Sequence, residues 1–126
     1  MNDMEAVGPL QIRVLHHLWN EGPCTVHDVH VVLNLRNLET ASRQLAYTTV
    51  LTVMRNLVRR KILSQLREGR AHLFAPLIER EHYQLGILRR ARAELFGGDG
   101  AALLRLMADD DQLDASLRER LRQVTA

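Results

Sequence analysis

The chain has 126 residues, 46% hydrophobic and 25% charged, which excludes a disordered chain and leaves room for one ordinary domain, or a small domain with an accessory piece. No apolar run approaches the roughly 18 residues of a membrane span, and the start MNDMEAVGPL lacks the basic-then-apolar layout of a signal peptide, so the cytoplasm is expected and no membrane partner. The one cysteine, Cys24, cannot form an internal disulfide, which accords with a reducing compartment.

The net charge of +2 is unevenly spread: residues 1–40 carry −3, residues 41–76 carry +6, residues 77–96 carry +1 and residues 97–126 carry −2. A basic block set between neutral or acidic ones is a candidate footprint for a polyanion.

In chain order, PLQIRVLHHLWN reads as a first helix. Pro9 suits a helix start, and Leu10, Val14, Leu15, Leu18 and Trp19 recur at helical spacing. The EGP run at Glu21, Gly22 and Pro23 ends it. Thr25 is a plausible N-cap with Asp28 three residues on, a relative of the capping box, and Val26, Val29 and Leu33 form the inner face of a second helix. Residues 34–44, NLRNLETASRQ, are polar and aperiodic and read as a connecting loop, long for a helix connection. A third helix follows in LAYTTVLTVMRNLVRRK, with Val50, Val53, Met54, Leu57 and Val58 as its buried stripe. ILSQLR and AHLFAPL then flank Glu68, Gly69 and Arg70, the pattern of a hairpin.

Three helices leading into a hairpin is the order of a winged helix, a variant of the helix-turn-helix. The remainder is helical: residues 78–96, stopped by Gly97 and Gly98; GAALLRLMA, which Asp99 can cap; and a last helix with Leu113, Leu117, Leu121 and Val124. Leu85, Leu88, Leu95, Leu103, Leu104, Leu106 and Met107 are too many apolar groups to leave in water, and the simplest cover is the same segment of a second chain. The expected class is therefore mainly α, a winged helix-turn-helix DNA-binding domain over residues 1–77 followed by a helical dimerisation domain over residues 78–126.

The third helix carries Tyr47, Thr48, Thr49, Thr52 and Arg55 on its polar side, residue types suited to base edges in a major groove. Arg59, Arg60, Lys61, Arg67 and Arg70 are expected at backbone phosphates, which position a protein without carrying sequence information. The expected dimer contacts are Leu85, Leu88, Leu95, Leu103, Leu104, Met107, Leu117 and Leu121.

Taken with REGRAHLFAP and LFGGD, the stretch LAYTTVLTVMRNLVRRKIL resembles the penicillinase repressor family, the BlaI/MecI type of bacterial regulators, over about residues 8–125. The resemblance implies a homodimeric repressor on an inverted-repeat DNA operator with TACA and TGTA half-sites, acting on β-lactamase or related genes. It places base reading on Thr48, Thr49 and Thr52 and the dimer on residues 78–125. It also implies a protease, triggered by a membrane sensor, that cuts near Leu106 and Met107. Against the family pattern, residues 34–44 run about six residues longer, Thr48 and Leu51 stand where some relatives carry basic residues, and the paired C-terminal cysteines of the copper-responsive branch are missing.

Two other readings stay open on the residues alone. One is an interaction protein whose basic helix binds an acidic protein partner. The other is a regulator that senses metal or oxidant through Cys24, His27 and His30, spaced by three, although a closed metal site wants about four ligands and no fourth stands out. Cys24 with a histidine is the sole nucleophile and base pair worth naming, and nothing supplies an oxyanion hole, so no enzyme is expected, nor any cofactor.

Overall fold

Pro9 opens α1 (Pro9–Glu21) at the one position where its missing N–H costs nothing, and Gly22, at φ +83°, closes it by donating its N–H to the Leu18 carbonyl at 2.8 Å. The computed structural model describes residues 7–126, so the first six residues of the N-terminal stretch discussed above, and of the expected 1–77 domain, lie outside the described residues. α2 (Val26–Glu39) starts with a full capping box. The Thr25 Oγ1 accepts from the Asp28 N–H and the Asp28 carboxylate accepts from the Thr25 N–H, each at 3.1 Å.

α3 (Tyr47–Arg59) runs into a two-stranded antiparallel hairpin, β1 (Leu63–Glu68) and β2 (Ala71–Pro76), paired from Leu63↔Pro76 to Glu68↔Ala71. Glu68 belongs to the strand, so the turn is only Gly69 and Arg70, with Gly69 at φ +61°. The segment between α1 and α2 adds a bridge that the sequence did not announce: Cys24 and Phe74 exchange both backbone hydrogen bonds, at 3.1 and 2.8 Å. That bridge ties the hairpin base to the helices.

The core of this first unit draws on every element: Val14, Leu15 and Leu18 from α1, Val29 and Leu33 from α2, Val50, Met54 and Leu57 from α3, and Ile62, Leu63 and Phe74 from the hairpin, all essentially inaccessible. Trp19, half-buried, closes one edge. Its indole N–H donates to the Ile78 carbonyl at 2.9 Å, and Tyr83 and Arg80 lie against its ring at 5.8 Å.

One expectation is corrected. Residues 34–39 are not loop but the last turns of α2, and the connection is only residues 40–46. The inward periodicity of Val26, Val29 and Leu33 continues to Asn37, which is buried despite being polar. Its amide is satisfied there, accepting from Arg13 Nη2 at 2.8 Å and donating to the Arg43 carbonyl at 2.7 Å. A hydropathy pattern cannot register a core position filled by asparagine.

The chain divides into two compact units, the first ending at Tyr83 and the second spanning Gln84–Ala126. α4 (Arg80–Phe96) starts two residues later than the sequence reading and continues into the second unit. Gly97 and Gly98, at φ +57° and +87°, turn the chain, and Asp99 caps α5 (Gly100–Ala108) by accepting from the Ala102 N–H at 3.1 Å. α6 (Ala115–Thr125) is capped by Asp114, which accepts from the Leu117 N–H at 3.2 Å; Leu113 precedes the helix rather than lying in it. α5 and α6 pack on each other, and the whole is mainly helical: a winged-helix unit followed by a helical one.

Candidate nucleic-acid interface

Burial of Val50, Met54 and Leu57, at i, i+4 and i+7, fixes the rotation of α3. Leu51, Val53 and Val58 are half-buried beside them. Thr48, Thr49, Thr52 and Arg55 are consequently turned to solvent, together with Tyr47 at the first position. Tyr47 is rooted from below, its ring meeting that of His30 edge-on at 5.6 Å. The start of α3 thus presents the hydroxyls of Tyr47, Thr48, Thr49 and Thr52 to solvent, an arrangement that can donate to and accept from base edges while the threonine methyls pack on thymine.

The entry to α3 is held by a clamp that sequence reasoning missed. Asn34 mimics a strand partner: its Oδ1 accepts from the Leu45 N–H at 2.7 Å and its Nδ2 donates to the Leu45 carbonyl at 3.0 Å. His30 Nε2 lies 2.9 Å from that same carbonyl, and Gln44 donates back to the Asn34 carbonyl at 3.1 Å. These contacts set the start of the helix to the end of α2. Asn34 sits one turn after His30 on α2, and the only signal for it was polarity beside a Leu-rich stripe.

The other end of α3 closes with the two hydrogen bonds of a Schellman motif, Ile62 N–H to the Leu57 carbonyl at 2.9 Å and Lys61 N–H to the Val58 carbonyl at 3.0 Å. Lys61 occupies the left-handed position, at φ +62°, where glycine is the usual residue. Arg59 and Lys61 are exposed and Arg60 is half-buried. Arg67 and Arg70 are exposed on the hairpin, the former donating from Nε to the Gly69 carbonyl at 3.1 Å.

Among the described residues, none of Arg55, Arg59, Arg60, Lys61, Arg67 and Arg70 joins an ion pair; the pairs present are Arg90–Glu94, Arg105–Asp99 and Arg122–Glu119, all in the second unit. Six cations without carboxylate partners around one hydroxyl-bearing helix are arranged for an external polyanion. Arg55 and Arg70, far apart in sequence, also line one cleft of about 440 Å³ between α2, α3 and the hairpin.

The residues expected at a dimer contact lie in the second unit and are poorly covered. Leu85, Leu88, Leu95, Met107 and Leu117 are exposed, Leu95 by 76%, while Leu103, Leu104 and Leu121 are half-buried. A nearly all-apolar groove of about 220 Å³ runs between α4 and α5, lined by Leu85, Leu88, Leu103 and Leu104.

Cys24, His27 and His30 do not converge. Cys24 is buried, its Sγ donating to the Gly22 carbonyl at 3.3 Å and lying 3.7 Å from His17 Nε2, whereas His27 is exposed and His30 serves the Leu45 clamp. Among the described residues no three His, Cys, Asp or Glu side chains stand close enough to hold a metal ion. Burial, with the nearby charges of Asp28 and Glu21, pushes the Cys24 thiol above its ordinary pKa and so away from the reactive thiolate.

A winged helix followed by a helical unit is an architecture found in transcriptional regulators. The sequence profile of the penicillinase repressor family matches residues 7–126, and the chain belongs to that family. Two relatives described as "Transcriptional regulator BlaI", from Mycobacterium tuberculosis strains CDC 1551 / Oshkosh and ATCC 25618 / H37Rv, are each 36% identical over 131 residues, an alignment covering 100% of this chain and 90% of the relative. No described helix is long and apolar enough to cross a membrane.

Proposed function

We propose that the chain is a homodimeric transcriptional repressor that occupies an inverted-repeat operator with TACA/TGTA-like half-sites, controlling β-lactamase or related genes. The carrying observation is the exposed Thr48, Thr49 and Thr52 of α3 on a unit whose helix end and hairpin carry six cations that, among the described residues, join no ion pair. In this reading the threonines address base edges in the major groove. Arg59, Arg60 and Lys61 at the helix end, and Arg67 on the hairpin, neutralise phosphates.

A second copy covers the apolar surface of residues 84–126, including the groove formed by Leu85, Leu88, Leu103 and Leu104. Joining two reading helices makes the second half-site contact effectively intramolecular, so operator occupancy depends on the dimer. Leu106 and Met107 are exposed on α5, and cleavage there by a sensor-triggered protease would sever the segment that holds the dimer and release the operator.

The test is a salt titration of the purified chain against two duplexes, one carrying a TACA/TGTA inverted repeat and one scrambled, with Thr49→Ala and Thr52→Ala alongside. The repeat should be preferred at physiological salt, and each substitution should weaken specific binding by about 1 kcal/mol or more while sparing non-specific binding. Equal losses on both duplexes would remove the threonines from base reading. Weak binding to both that vanishes as salt rises would reduce the basic face to generic attraction and favour an acidic protein partner.

A further inference from the structure

The cleft between the start of α2, α3 and the hairpin divides the polar face of α3 in two. Tyr47, Leu51 and Arg55, at i, i+4 and i+8, form one strip and all three line the cleft; Thr48, Thr49 and Thr52 do not. Opposite that strip stand Arg70 and His72 of the hairpin and His27 of α2. His72 is held in place by Gln65, whose side-chain amide lies 3.0 Å from its Nδ1 across the hairpin, leaving Nε2 as the ring's other nitrogen.

Among the described residues, no carboxylate lines the cleft. The nearest acidic group along α2, Asp28, is occupied by the capping box with Thr25. Arg55 and Arg70 both line this cleft, and an anion seated in it would draw favourable charge-assisted contacts from both.

We infer that this cleft seats one phosphate of the DNA backbone between Arg55 and Arg70, which moves Arg55 from the base-reading set to the phosphate-binding set. The inference rests on the DNA-binding reading above and sharpens it. Sequence is read by Thr48, Thr49 and Thr52 alone, while the Tyr47, Leu51 and Arg55 strip registers the helix on the duplex.

The experiment compares wild type, Arg55→Ala and Arg55→Lys in fluorescence-anisotropy titrations on the inverted-repeat and scrambled duplexes over a range of salt. Arg55 is exposed, so thermal melts of the variants serve as a check that the fold is kept. Arg55→Ala should lose affinity by the same factor on both duplexes, roughly tenfold or more. Its log K against log salt slope should become shallower by about 0.9 per Arg55 engaged, hence about 1.8 for a dimer on two half-sites. Arg55→Lys should keep the wild-type slope.

A loss confined to the inverted repeat would overturn the inference, because Arg55 would then be reading a base. Unchanged affinity and slope on both duplexes would overturn it as well, with the DNA-binding reading intact. A wild-type chain that binds neither duplex would instead bring down the DNA-binding reading itself.

Discussion

The two compact units solve the problem of burial in opposite ways. The first closes a core in which side chains from α1, α2, α3 and the hairpin are all inaccessible, and spends its exposed surface on threonines and cations. In the second, Ala108 is the one buried apolar side chain among residues 84–126, while Leu85, Leu88, Leu95, Leu106, Met107, Leu117 and Val124 all stay exposed. A unit that shields so little of its own leucine content is the part for which the proposed function calls on a second copy as cover. One unit closes its own core and exposes threonines and cations, and the other leaves most of its leucines exposed.

That contrast is broken most directly at Leu104, half-buried in the groove of the second unit. Leu104→Asp should convert the chain to monomer in sedimentation and lower operator affinity by about 10² to 10⁴, the advantage of tethering two half-site contacts. The winged-helix unit, with its own core, should still melt cooperatively. A stable dimer would mean that the interface lies elsewhere.

Within the first unit the contrast is sharpened at Asn34. Asn34→Ala leaves the Leu45 N–H without its side-chain partner and the Leu45 carbonyl with His30 alone, and denaturant unfolding should report a loss of about 2 kcal/mol. Because the clamp positions the start of α3, binding to the inverted repeat should suffer more than binding to scrambled DNA.

Lys61 separates stability from function. At φ +62° it pays the steric cost of a left-handed residue, so Lys61→Gly should raise stability by about 1 kcal/mol in chemical denaturation. The same change should weaken DNA binding and flatten the salt slope, because a phosphate-neutralising charge is gone. Stability and affinity moving in the same direction would remove Lys61 from the interface.

The smallest effect is at the α2 cap. The Asp28 carboxyl is held below its ordinary pKa, first by the Thr25 backbone N–H and then by the Thr25 side chain. The fold therefore prefers the charged form. The stabilisation is fully present above the unfolded carboxylate range, near about pH 4, and is lost as pH falls through the lower folded value. Asp28→Asn should cost about 0.5 kcal/mol at pH 7, with the difference from wild type shrinking as the melt is repeated in acid.

Much of the first unit was legible because its signals are local. The Thr25 and Asp28 cap, Pro9 at a helix start and the apolar stripe of α3 each act through neighbours a few residues away. The end of α2 was not legible, because Asn37 fills a core position with an amide that only Arg13 and the Arg43 carbonyl make tolerable. The bridge between Cys24 and Phe74 and the shared cleft of Arg55 and Arg70 were hidden for a related reason, since each involves residues distant in sequence. The candidate reading face could be named residue by residue, but its division into a threonine strip and a cleft strip needed the rotation of α3 and the position of the hairpin.

The most direct measurement of the central claim is a titration of the full chain against two duplexes, one holding the complete inverted repeat and one holding a single half-site, with stoichiometry read by sedimentation. Two chains should bind the complete repeat, with an affinity about 10² to 10⁴ above that for the half-site. One chain per duplex with equal affinity for both would contradict a reading unit that works only when the second unit has paired.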